Sequence, residues 1–295
     1  MAATDTLERI GPARRVSADI LARLTPTGWI GLVVIALYVL VAVTAPLWAP
    51  YPADAVLTGE PFARPSLAHL LGTDGLGRDV FSRVVLGSTA VLSMMFAATS
   101  LAVAAGSLIG IALGYLRGWL DEAVTRLIDI VISIPPLIFG LLVITALSNS
   151  PLHVVLVVAF LFTPRVVRVV RAATFSIATQ DYIAAAQARG ESIWAICTRE
   201  ILPNVAGTIL VEFAIRSGFV IIFIGSLGFL GFGAPPPTPE WGLMINEGRS
   251  DMSMSLWPVL SPAIAMAILV VAINLFTDNL ARILARDAPV ARSGA

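Results

Sequence analysis

The chain has 295 residues, 57% of them hydrophobic and 13% charged, with a mean hydropathy of +0.88 and no net charge. A soluble domain carries about 25% charged residues, so a polytopic membrane protein is expected, with no separate soluble domain left over. Zero net charge points to no nucleic-acid or acidic partner, and a lone cysteine, Cys197, with two distant histidines, His69 and His153, excludes a disulfide framework and offers no metal-ligand motif.

A membrane-crossing helix needs about 20 mainly apolar residues. Six segments qualify: 28–48, 88–115, 124–147, 152–173, 205–233 and 257–280. They leave a tail at 1–27, a first helix with a polar segment at 28–87, a core of five helices at 88–280 and a second tail at 281–295. The first span is longer than a signal-peptide core of about 7–15 apolar residues, so it reads as a retained helix. With the N-terminus inside, Arg9, Arg14, Arg15, Arg23, Arg117, Arg126, Arg165, Arg168, Arg171, Arg189, Arg199, Arg282, Arg286 and Arg292 are cytoplasmic. Only Arg64, Arg78, Arg83 and Arg249 are then external. That asymmetry predicts cytoplasmic termini.

The external segment 49–87 is punctuated by proline and glycine and carries Gly72-Thr73-Asp74 and Gly77-Arg78-Asp79. Thr73 or Asp74 is expected to cap the helix beyond it. GLGRD lacks the Gly-Lys-Ser/Thr ending of a phosphate loop, and no such motif occurs elsewhere, so the chain is not expected to bind ATP in that manner. In the second span Ala98, Ala102, Gly106, Gly110 and Gly114 recur every fourth residue, a smooth stripe against which another helix can lie closely. The third span contains Asp129 and Pro135-Pro136, a kink that is either a fixed bend or part of a gate. The fourth ends in Arg165, Arg168 and Arg171. Pro164 is expected to break the helix before them, and they are placed at the cytoplasmic end, facing lipid phosphates.

Residues 181–204, DYIAAAQARGESIWAICTREILPN, have no membrane-grade apolar run. Good helix formers, Gly190 and Pro203 predict helix, tight turn, helix and stop, with Glu191 at the start of the second helix. A stiff two-helix elbow between spans is suited to being gripped. The fifth span holds Glu212 and Arg216, four apart on one face, with Arg216 about 16 Å along the helix from Val205. Such charges must pair or face a wet cavity, and both a structural ion pair and a pair on a translocation path are open. Beyond it, APPPTPEWG at 234–242 is rigid and polyproline-like.

Several of these motifs carry a resemblance. Tyr182, Ala184-Ala185-Ala186, Gly190, Trp194 and Leu202-Pro203 resemble the EAA loop of permease subunits of binding-protein-dependent ABC importers, with Ala184 where that family usually has glutamate and Glu200 where related peptide permeases often have histidine. LGTDxxGRD and SLGFLGFGAPPPTPEWG, with Pro239, Trp241 and Gly242, resemble the C-type permease of the dipeptide/oligopeptide/nickel branch. The ending at Asp278, Leu280, Arg282 and Asp287 matches the family in part, with Thr277 in place of glycine. The resemblance covers residues 28–287. It implies an all-α membrane protein of six transmembrane helices with the type I importer permease fold and a cytoplasmic coupling helix in the bacterial inner membrane. It further implies a non-catalytic subunit paired with a B-type permease. Two ATPase subunits that hold ATP and magnesium, and an extracytoplasmic binding protein, complete the assembly. The expected cargo is a di- or oligopeptide, with nickel or another small solute as the alternative. A secondary transporter, the rival from another class, would show inverted repeats, which are not evident. An ion channel would need a selectivity ring and an intramembrane enzyme a cluster of catalytic groups. Neither pattern is visible.

Overall fold

A computed structural model describes residues 21–148 and 150–287. The tail arginines Arg9, Arg14, Arg15 and Arg292 lie outside the described residues. The helices are α1 (Pro26–Val43), α2 (Ala45–Trp48), α3 (Val80–Leu116), α4 (Trp119–Ser133), α5 (Pro136–Leu147), α6 (Pro151–Ile177), α7 (Asp181–Ala188), α8 (Ile193–Phe229), α9 (Trp241–Gly248) and α10 (Trp257–Asp287). Five of them, α1, α3, α6, α8 and α10, are long and apolar enough to cross a membrane.

The expected third span is not one helix. It is α4 and α5, bent by 89° across Ile134 and Pro135, and makes a sixth crossing only if the bent pair is counted together. The reason is local: Pro136 disfavours the helical conformation for Pro135, and Pro135 does the same for Ile134, and neither residue is helical. α3 begins at Val80, eight residues before the apolar run expected at 88. Its N-cap is Asp79, whose carboxylate accepts from the Ser82 amide at 2.8 Å. Neither Thr73 nor Asp74 serves as that cap.

Two other sequence expectations are corrected. Pro164 lies inside an unbroken α6. Its missing amide takes the helical donor from the Phe160 carbonyl, and the packed bundle holds the helix together there; on either side the Thr163 hydroxyl donates to the Ala159 carbonyl at 2.8 Å and the Arg165 guanidinium to that of Leu161. Pro203 does not end a helix either. It sits at the first turn of the long α segment of α8, where its missing amide costs little.

α3 and α6 form the spine. The stripe expected from every fourth residue is where they meet. A Cβ on Gly106 would stand 2.6 Å from Val166 Cβ, and one on Gly114 would stand 2.7 Å from Thr174 Cβ, so only glycine permits this approach. α1 lies against α10, tied by the Tyr38 hydroxyl donating to the Ala265 carbonyl at 2.9 Å. One apolar core, with Val158, Ile221, Ile224 and Trp241, fills the half of the bundle near α9. A second, with Val166, Val170, Ile196 and Val205, fills the half near α7.

Candidate functional site

The elbow forms at one end of the bundle. α7 ends in a paired C-terminal turn: the Gly190 amide donates to the Gln187 carbonyl at 2.9 Å and the Glu191 amide to that of Ala186 at 3.2 Å. Gly190 has φ +75°, as that turn requires. Ser192 then caps the next helix, accepting from the Ala195 amide at 3.2 Å, while Glu191 pairs with Arg189. α8 starts with one α turn and a π segment, Ile196–Ile201, before its long run. The elbow is thus rigidly continuous with the long span beyond it, not separated from it by a stop. Each π turn adds a residue without a matching hydrogen bond and re-aims the side chains beyond it.

The residues singled out from sequence divide by role. Ala186 is fully buried and, with Ile183, Ile196 and Ile201, fastens the elbow to the second core. Tyr182, Ala184, Ala185, Trp194, Leu202 and Pro203 face outward. Trp194 is 73% exposed, an unusual position for an indole on an isolated chain. Burial and the charge of Glu200 hold the Tyr182 phenol above its usual range, so it stays a hydrogen-bond donor. Gln187 reaches back to the Tyr115 hydroxyl at 3.1 Å, joining α7 to the end of α3.

The opposite end is closed by a folded segment that the sequence outlined without showing its bonds. Asp74 accepts from both Arg78, at 2.6 Å, and Arg83, at 2.7 Å, and both arginines also reach Glu247 of α9. The two arginines and Asp74 are almost wholly buried. His69 meets Asp79 at 2.9 Å and stacks on Tyr51. Gly72 and Gly77 adopt positive φ at the turns that bring Thr73, Asp74 and Asp79 together. On α9, Trp241 is 1% exposed and donates to the Val84 carbonyl at 3.0 Å. Gly242 packs so tightly that a Cβ would stand 2.3 Å from the Gly225 carbonyl oxygen. The Pro239 carbonyl lies beside Gly87. Glu240, absent from the sequence expectations, caps α9 by accepting from the Gly242 and Leu243 amides. Its burial pushes its carboxyl up to about 7, against the pull of those amides. Gly228 and Gly233 enclose it, leaving no room for side chains there.

Between the ends, Glu212 and Arg216 form the expected ion pair, with two guanidinium nitrogens 2.9 Å from one carboxylate oxygen. Two of the three α6 arginines, which were expected to face lipid phosphates, have carboxylate partners within the chain. Arg171 is held by both oxygens of Asp121, and Arg168 by Asp129, on α4. The eight-residue spacing of Asp121 and Asp129 on one face of a helix was the available signal. Among the described residues no group of His, Cys, Asp and Glu is placed to hold a metal.

Comparison with known proteins bears on this arrangement. Residues 106–288 match the family described as "Binding-protein-dependent transport system inner membrane component". The chain is 36% identical over 249 residues to the glutathione transport system permease protein GsiD of Pectobacterium atrosepticum, covering 83% of each. It is 38% identical over 245 residues to GsiD of an Escherichia coli strain, covering 83% of this chain and 81% of the relative. Its fold is similar to that of a subunit of the MetNI methionine ABC transporter in an inward-facing conformation, with a TM-score of 0.57 at 20% identity over 68% of this chain and 96% of the other.

Proposed function

Because this chain belongs to the family of binding-protein-dependent transport system inner membrane components, multi-pass ABC-importer permease subunits that couple to ATPase partners, we propose that the α7–α8 elbow is its coupling element and that di- or oligopeptides are its cargo. The observation that carries the coupling role is the division of the elbow. One face, with Ile183, Ala186, Ile196 and Ile201, is locked into the core, and the other presents Tyr182 and Trp194 to a partner. Movement of a docked ATPase reaches α8 directly, because the π segment joins elbow to span without a flexible linker. The peptide class is supported by similarity to permeases named for glutathione, a tripeptide thiol. The arginine distribution supports cytoplasmic termini and a cytoplasmic elbow. The Asp74–Arg78–Arg83–Glu247 cluster then faces outside, where it stiffens the surface that meets the binding protein. The partner permease is of the B type, and the membrane is the bacterial inner membrane.

The test uses single cysteines in a Cys197→Ser background. Glu60→Cys and Thr238→Cys should react with an impermeant thiol reagent added to intact cells, whereas Gln187→Cys should react only in inside-out vesicles and should be shielded there by the ATPase. Reversed labelling would overturn the orientation and the coupling role together.

A further inference from the structure

Three charges sit near the middle of the bundle, and they do not balance. Arg165 is the fifteenth residue of α6 and lies about 18–21 Å from either end of that helix. Arg216 lies about 20 Å from the end of α8. With a hydrocarbon core of about 30 Å, both fall within it, so Arg165 lies deeper than the cytoplasmic end at which the sequence placed it and drops out of the arginine count that orients the chain. Arg216 is neutralised by Glu212. Arg165 has no carboxylate partner among the described residues; its guanidinium donates to the Leu161 carbonyl at 3.3 Å and lies 5.8 Å from the centre of the Phe162 ring. It is close enough to Arg216 for the two charges to interact. Its two sisters on α6, Arg168 and Arg171, are each matched by an aspartate on α4. One positive charge is therefore left over at mid-depth, and it is only partly buried. One turn toward the α9 end, Phe162 and Phe223 meet edge to face at 5.7 Å, so an aromatic pair stands over the charged group.

An unmatched cation at this depth is costly unless a counter-charge arrives or water reaches it. We propose that Arg165, supported by the Glu212–Arg216 pair, is a carboxylate-recognition point on the translocation path, which takes the free carboxylate of a peptide-class solute once it has passed Phe162 and Phe223. This deepens the peptide reading above and rests on it for the identity of the solute. The chemistry is specific: guanidinium presents paired donors that match a carboxylate, and the fixed ion pair beside it keeps Arg216 from competing for the same group. A cation-bearing terminus would be repelled by the surplus charge.

The test uses the whole importer complex, purified and also reconstituted with its binding protein. The probes are alanyl-alanine and its C-terminal amide at matched ionic strength. The unmodified complex should be stabilised against heat by the dipeptide and not by the amide, and Arg165→Gln should abolish that difference while Arg165→Lys retains part of it. At saturating solute, Arg165→Gln should lower the uptake ratio of dipeptide to amide about tenfold, the effect of losing one desolvated charge contact. Equal stabilisation by both probes would overturn the proposal, whatever solute the importer carries. So would loss of the partner permease from the Arg165→Gln complex, because Arg165 would then be matched by a carboxylate across the subunit interface. If both probes go untransported yet the dipeptide alone stabilises the complex, the peptide reading fails and the carboxylate site stands.

Discussion

Replacing Gly190 by valine isolates the geometry of the elbow from its packing. A Cβ at Gly190 would meet nothing within 4 Å, so the substitution creates no steric clash with a neighbour. The whole effect is backbone strain at φ +75°, about 1–2 kcal/mol for an L residue and greatest for a β-branched one. α7 is eight residues long and is fastened mainly by Ile183 and Ala186. Burial of the Ile183 side chain contributes about 1.5–3 kcal/mol. The strain is thus of the same size as the anchor, and the docked pose of α7 should lose roughly 5- to 30-fold in population. The spans are untouched, so the protein should reach the membrane at normal level and keep its partner permease. Gly190→Asn should behave nearly as wild type, because asparagine visits the left-handed region. Gly190→Ala should fall between. The assay is co-purification of the ATPase with the permease pair, alongside solute uptake, for all three variants. Normal ATPase recovery and uptake with Gly190→Val would refute the reasoning, and so would an asparagine variant as poor as the valine one.

Two more outcomes are expected from buried charge. Glu212→Ala leaves Arg216 without its carboxylate and should lower the thermal midpoint of the complex by the equivalent of about 3–5 kcal/mol, whereas Glu212→Ala with Arg216→Ala should recover much of the loss; equal damage from the single and double variants would show that the loss does not come from a stranded charge. Glu240 has its carboxyl raised by burial from the ordinary 4.5 to about 7, so the folded state binds the extra proton. Its contribution is fully present below about pH 4.5 and is lost as pH rises to 7 and beyond, a fall of roughly 3 kcal/mol. Glu240→Gln should flatten that part of the midpoint profile between pH 5 and 8, at the cost of one cap bond to α9; an unchanged slope in the variant would assign the pH dependence to another group.

Much of the fold was legible because its determinants are local. Long apolar runs announce spans, the four-residue stripe of Ala98 to Gly114 announces the face that meets α6, and Gly190 announces a left-handed turn. Helix ends were less legible. Asp79, and not Thr73 or Asp74, caps α3, since a cap is chosen by which carboxylate the folded loop brings to the free amides. Pro164 and Pro203 read as breaks but are accommodated, one within a helix packed into the bundle and one by its place in a first turn. Glu240 gave no signal, because its burial comes from Gly228 of α8 and Gly233 of the loop beyond it.

The sequence by itself therefore determined the class, five of the six expected spans, the elbow and the family, all of which depend on residues near one another in the chain. Only the tertiary structure decided which charges cancel. Asp121 is 50 residues from Arg171 and Glu247 is 169 from Arg78, so the matching of Arg78, Arg83, Arg168 and Arg171, and the surplus left at Arg165, depend on how the helices pack. In a low-dielectric bundle that balance governs energy more than sequence proximity does, because an unmatched charge is barely screened.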